Sequence, residues 1–221
     1  MEINTVIFDL DGTLLNTLDD LYLAFNYAIK SFGYPERSKE EIKSFVGNGI
    51  KKAIERALPE KVSEEELNYI INVFKDYYQK NMYKNTKVYD GILQMLAELK
   101  NRGYKLAVVS NKYDAAVKKL CGEYFDNYID CAVGEVKGTD RKPNPIGIYK
   151  VMEELKVNKE QAVYVGDSDV DIKTAQNADI PCISVLWGFK EKDFLMQNGA
   201  RVFAENPNDI VKTIEKKLYL V

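Results

Sequence analysis

The spacing of hydrophobic positions changes abruptly near the N-terminus. Ile3 to Phe8 is short, β-branched and aromatic, and it stops at an Asp-Gly signal, which predicts a buried strand. After Thr13 the period becomes helical. Leu18, Leu21, Tyr22, Phe25, Ala28, Ile29 and Phe32 recur at three- and four-residue steps until Gly33 and Pro35 stop them. Ser38-Lys39-Glu40-Glu41 and Ser63-Glu64-Glu65-Glu66 read as capping boxes, the second opening a helix to about Met82. Between them, Gly47-Asn48-Gly49 breaks the chain before Ile50 to Leu58, with Pro59 beyond. Residues 16–86 thus predict about four helices and no strand.

From Lys87 onward, helices and strands alternate. Helices are predicted over Ile92 to Asn101, from Asp114, from an Asn144 cap with Pro145 to Lys156, to Asn177, and from Asn208. Strands are predicted over Tyr104 to Val109, near Tyr128 to Val133, and over Gln161 to Val165 and Ile180 to Val185, with an edge strand at Arg201 to Ala204. Such alternation predicts a doubly wound parallel α/β sheet of the Rossmann-like kind, covered on both faces. The expected organisation is a core of residues 1–15 and 87–221, interrupted by a helical insertion at 16–86.

The first predicted strand delivers two carboxylates, Asp9 and Asp11, at its C-terminal end, where open α/β sheets gather their chemistry. Their spacing returns both side chains to one side while the chain stays extended, and Gly12 permits a sharp turn. An ordinary surface turn accounts for the same residues equally well. The absence of histidine narrows the options. It removes Ser-His-Asp and Cys-His nucleophiles and HExxH zinc sites, so proton transfer falls to Asp, Glu, Lys, Tyr or Cys. No Gly-x4-Gly-Lys-[Ser/Thr] phosphate loop occurs.

A net charge of −3 with dispersed basic residues predicts no nucleic-acid partner. No apolar run approaches the roughly 20 residues that span a bilayer, and no secretory signal is visible. Cys121, Cys131 and Cys182 form no CxxC and read as reduced core residues, which predicts a cytoplasmic protein. The sequence carries no signal for an oligomeric state.

Three further polar sites follow an apolar strand or open a helix: Ser110, Lys142 before Pro143, and Asp167 with Asp171 in Gly166-Asp167-Ser168-Asp169-Val170-Asp171. Each alone reads as a helix cap or a solvated residue. Parallel strands would bring all of them to one edge with Asp9. Taken in order, Asp9-x-Asp11-Gly12-Thr13, Ser110, Lys142 and Gly166-Asp167-x3-Asp171 resemble the four motifs of the haloacid dehalogenase-like phosphohydrolases. The insertion resembles that family's helical C1 cap. Ser110-Asn111-Lys112, Lys142-Pro143-Asn144-Pro145 and Gly47-Asn48-Gly49 lean towards its phosphoglycolate phosphatase-like subgroup. Asn16-Thr17 stands where relatives often carry Asp-Ser.

The resemblance implies a magnesium-dependent phosphatase acting on a small phosphorylated metabolite such as 2-phosphoglycolate. It makes Asp9 the nucleophile of an aspartyl-phosphate, Asp11 the acid and base, and Ser110 and Lys142 the groups that hold and neutralise the phosphoryl oxygens. Leu10, Gly12, Thr13 and Asn111 join the phosphate-binding set. The implied metal set is Asp9, Asp11 through its carbonyl, Asp167, and Asp171 through water or as support for Lys142. In the cap, Asn48, Gly49 and Lys51 are candidates for the substrate's anionic tail, at a helix N-terminus with free N–H groups. A sugar-phosphate mutase, a pyrophosphatase or a nucleotidase are alternatives within the family, and Gly166 before Asp167 leans towards hydrolysis. A receiver-type phospho-acceptor module is a more distant alternative, disfavoured by length and by the helical insertion.

Overall fold

A computed structural model describes residues 2–59, 61–136, 138 and 140–217. By internal packing the chain divides into two units, Met1–Leu15 with Val88–Val221, and Asn16–Lys87. The chain passes between them at two short strands that pair with each other, β2 (Leu15–Asn16) and β3 (Lys87–Val88).

The first unit is built on six parallel strands: β1 (Thr5–Phe8), β4 (Lys105–Tyr113), β5 (Cys131–Glu135), β6 (Ala162–Gly166), β7 (Cys182–Val185) and β8 (Val202–Ala204). Their order is β5-β4-β1-β6-β7-β8, which puts β1 in the middle with β4 and β6 on either side. Every residue of β1 and β6 is buried, the unbroken apolar signature of a sheet covered on both faces rather than an alternating one. The order reverses direction around β1, so the loops after β1, β4 and β6 open at the crevice where such sheets carry ligands.

On one face, Ile7, Ala107, Val109 and Tyr164 pack with Ile148 and Val151 of a helix over Ile146–Leu155 and Ala175 of a helix over Asp169–Ala178. Helices over Ile92–Asn101, Asp114–Phe125, Lys192–Gln197 and Pro207–Glu215 complete the unit among the described residues.

Three local departures separate the structure from the expected elements. The strand expected to end at Val109 runs on to Tyr113 through a register shift against β5, so Ser110, Asn111 and Lys112 lie within it. The helix expected to be capped by Asn144 starts one residue later, after Pro145; the Asn144 side chain still accepts from Ile146 N at 3.0 Å. The short Lys192–Gln197 helix was not expected: it buries Leu195 alone, too little for a periodic signal.

The second unit holds four helices, α1 (Leu18–Lys30), α2 (Lys39–Phe45), α3 (Ile50–Ala57) and α4 (Glu64–Asn81). Phe25 of α1 meets Phe74 of α4 with ring centroids 4.7 Å apart. Ser38 and Glu41 close a full capping box. Ser63 makes only the first half, accepting from Glu66 N, because the Glu66 carboxylate instead takes the Tyr34 hydroxyl at 2.8 Å. Asp20 is buried and accepts from the N–H and side-chain amide of Asn85 and the N–H and hydroxyl of Thr86 at 2.8–3.1 Å. It thereby ties the start of α1 to the returning chain.

Candidate active site

The carboxyl ends of β1, β4 and β6, with the loop carrying Lys142, hold a dense buried polar cluster. Lys142 Nζ is its centre, 2.8 Å from Asp9 Oδ1, 2.7 Å from Asp171 Oδ1 and 3.1 Å from the Tyr164 hydroxyl. Tyr164 in turn donates to Val109 O at 2.8 Å, which fixes its ring and its acceptor lone pair. The Lys142 backbone is held by Asn111, whose side chain bonds both Lys142 N and Lys142 O at 2.8 and 3.1 Å. Ser168 N and Oγ donate to Asp171 Oδ2, orienting that carboxylate towards Lys142.

Asp167 completes the cluster. Its Oδ2 accepts from Phe189 N at 2.6 Å, and the loop after β1 comes close against it. A Cβ placed on Gly12 would fall 2.3 Å from Asp167 Oδ2, and Gly12 has φ +87, so this position requires glycine twice over. Gly12 N and Thr13 N close their turn on Leu15 O and Leu10 O. Thr13 is fully buried, and its hydroxyl has no hydrogen-bond partner among the described residues.

Asp9, Asp167 and Asp171 bring carboxylate oxygens within 4.8 Å of one another, all buried, with Lys142 as the cation between two of them. Burial pushes the Asp9 carboxyl up to about 7 despite the pull of Lys142, with Asp171 and Asp11 adding repulsion. Burial, with Asp171 and Asp9 nearby, also holds Asp167 well above the ordinary carboxylate range. Burial works against the Lys142 charge, yet Asp171 and Asp9 hold its ammonium well above its ordinary value. Three carboxyl groups thus face one lysine, and burial opposes ionisation of Asp9 and Asp167 while no further cation is at hand among the described residues. The three converging carboxyl groups offer only oxygen ligands, a donor set that fits a hard divalent cation able to hold them ionised.

Asp11 is set apart from this cluster by its own cation: Lys112 Nζ lies 2.8 Å from both of its oxygens. Lys112 N donates to Ser110 Oγ at 3.3 Å, linking Ser110 to the same group. The structure thus brings Asp9, Asp167, Asp171 and Lys142 into one cluster, and Ser110, Lys112 and Asp11 into a second. Asn48, Gly49 and Lys51 belong to the helical unit. There Gly49 precedes α3 with φ 78, and the exposed Lys51 pairs with Glu64 at 2.8 Å. Lys112, Tyr164 and Phe189 N are the site groups that sequence reading did not assign.

A model of the haloacid dehalogenase-like hydrolases matches residues 6–185. The chain belongs to that family. It is 32% identical over 214 residues to the phosphoglycolate phosphatase of Aquifex aeolicus, covering 96% of this chain and 97% of that protein. It is 30% identical over 217 residues to a candidate pyrophosphatase, PpaX, of Caldanaerobacter subterraneus, covering 97% and 96%. Among solved structures, a candidate phosphoglycolate phosphatase of Lactobacillus delbrueckii superposes with a TM-score of 0.92 at 36% identity, covering 97% of this chain and 99% of that one. The chain is thus a phosphatase of the haloacid dehalogenase-like fold. No helix among the described residues is long and apolar enough to cross a membrane.

Proposed function

We propose that this protein is a magnesium-dependent hydrolase of small phosphate monoesters, with 2-phosphoglycolate the leading candidate substrate. The observation that carries the reading is the convergence of three buried carboxylates and one buried lysine at the carboxyl edge of the central strands. The names of relatives supply the candidate substrate. Asp9, the Asp11 carbonyl and Asp167 would hold Mg2+, with Asp171 in support. When bound, the ion supplies positive charge that lets a carboxylate and a phosphate approach each other.

The chain's own residues do the rest. An Asp9 oxygen attacks phosphorus in line, forming an Asp9–phosphorus bond as the ester bond breaks. Asp11, in its protonated form, gives its proton to the leaving oxygen and is left as the carboxylate. It then takes one from the water that attacks the aspartyl-phosphate, which releases phosphate and restores Asp9. Lys142 offsets charge on the phosphoryl oxygens, and Ser110 and Leu10 N donate to them. Residues 16–86 would serve as a cap that excludes water and sets specificity, with Asn48, Gly49 and Lys51 its candidate contacts.

Gly166 leaves no room for a side chain beside Asp171. A Cβ there would lie 2.4 Å from Asp171 Cβ and Cγ, so a larger residue at 166 displaces the carboxylate that holds Lys142. The three unpaired cysteines support a reducing compartment such as the cytoplasm. The test is phosphate release from a panel of 2-phosphoglycolate, sugar phosphates, nucleoside monophosphates and pyrophosphate, with Mg2+ and after its chelation. Mg2+-dependent release from monoesters, strongest with 2-phosphoglycolate, is expected. Release from none of them, with Mg2+ shown to bind, would contradict the reading.

A further inference from the structure

Lys112 has the burial of a structural ion and the position of a substrate contact. Its side chain is 4% exposed. Among the described residues, the other lysines in ion pairs keep side chains at least 30% exposed, apart from Lys142. Both buried lysines therefore stand at the one edge where phosphoryl chemistry is proposed. Lys112 lies two residues beyond Ser110 on the same strand, and its N–H donates to Ser110 Oγ at 3.3 Å. Its ammonium lies 2.8 Å from both oxygens of Asp11, the group whose protonated form is proposed to serve the leaving oxygen. The Asp11 side chain is 14% exposed, which leaves the pair within reach of a bound molecule.

We propose that Lys112 determines specificity for the leaving group, sharing its charge between Asp11 and a carboxylate on the substrate. The substrate class is small phosphate monoesters with an acid group one carbon from the ester oxygen. In such a molecule two bonds of about 1.5 Å each separate the ester oxygen from the carboxylate carbon. An ester oxygen within hydrogen-bond reach of Asp11 thus brings its carboxylate to the cation beside Asp11. A lysine ammonium is a compact charge with rotatable donors, suited to two anions at once. Lys142 already serves Asp9 and Asp171 in this way. No bond forms or breaks at Lys112. The inference rests on the phosphatase reading and adds the selectivity which that reading lacks.

The test compares kcat/KM for 2-phosphoglycolate with that for 2-hydroxyethyl phosphate, which keeps the ester and replaces the carboxylate by a neutral group. In Lys112→Met the ratio of the two should fall about 10- to 100-fold, the range for losing one hydrogen bond to a charged group. The loss should lie mainly in KM, and Lys112→Arg should recover part of it. A ratio unchanged while both substrates slow together is what a lysine that only positions Asp11 would give, and overturns this inference alone. A wild-type enzyme inactive on every ester overturns the phosphatase reading and this one with it. Should Lys112→Met fail to fold, product inhibition of the wild type decides. Glycolate should inhibit more strongly than ethylene glycol, and equal inhibition overturns the inference.

Discussion

Two buried aspartates, one in each unit, show how burial means different things. Asp20 in the helical unit is 3% exposed, and its carboxylate is satisfied by neutral donors from Asn85 and Thr86. Asp9 in the α/β unit is 7% exposed and crowds against Asp167 and Asp171 with one lysine among them. A carboxylate ringed by N–H and O–H donors holds a fold together. Carboxylates gathered with too little positive charge oppose folding, and they persist where chemistry requires them. The same residue type, almost equally hidden, is a clasp in one unit and the proposed reactive centre in the other.

The comparison breaks most readily at Asp9. Asp9→Asn should lower phosphate release by at least about 10^4-fold, the scale of a lost nucleophile. Its thermal stability without metal at pH 8 should hold or rise. The sign follows from the raised carboxyl: stability contributed by the protonated group is present below about pH 4 and is lost as pH rises through about 7. The stability gap between variant and wild type should therefore narrow as the pH falls, and melting curves across that range would show it. A variant that keeps its activity, or melts much lower, would put Asp9 in the same class as Asp20.

Asp20→Ala should behave in the opposite way. It strands the buried N–H and hydroxyl of Thr86, worth about 1–3 kcal/mol each if left unpaired, and half-buried donors at Asn85. For a chain of this length a melting point roughly 10 °C lower is expected. Mg2+ binding by the folded protein should survive, and calorimetry would read both quantities. An unchanged melting point would mean that water replaces the clasp.

Tyr164→Phe gives the smallest effect and the finest distinction. It removes the hydroxyl that accepts from Lys142 and donates to Val109 O, at a stability cost of about 1 kcal/mol. If this network serves chemistry, kcat should drop severalfold while KM and melting point move little. A change in melting point alone would make Tyr164 part of the fold.

Much of this was readable from residue order. The alternation after Lys87 marks the parallel sheet, and the period change after Thr13 marks the helical unit, because both are local patterns of burial. Asp9, Lys142, Asp167 and Asp171 were legible because each ends a strand or opens a loop where parallel strands converge. Lys112 was hidden for a specific reason. Its partner Asp11 is 101 residues away, and the strand read as ending at Val109 in fact continues past Ser110 and aims the lysine into the site. Tyr164 was hidden because it sits in an apolar strand and packs like core, its hydroxyl being the only part that acts. The division of Ser63 and Glu66 was likewise beyond local reading, since Tyr34 competes for the glutamate from elsewhere in the helical unit.

The central claim is that Asp9 becomes covalently phosphorylated during turnover. Mass spectrometry of peptides from protein quenched in acid during hydrolysis of a phosphate monoester tests it most directly. The account predicts one added phosphoryl group on the peptide bearing Asp9, absent from Asp9→Asn. A phosphoryl group on another residue, or full turnover by Asp9→Asn, would contradict it.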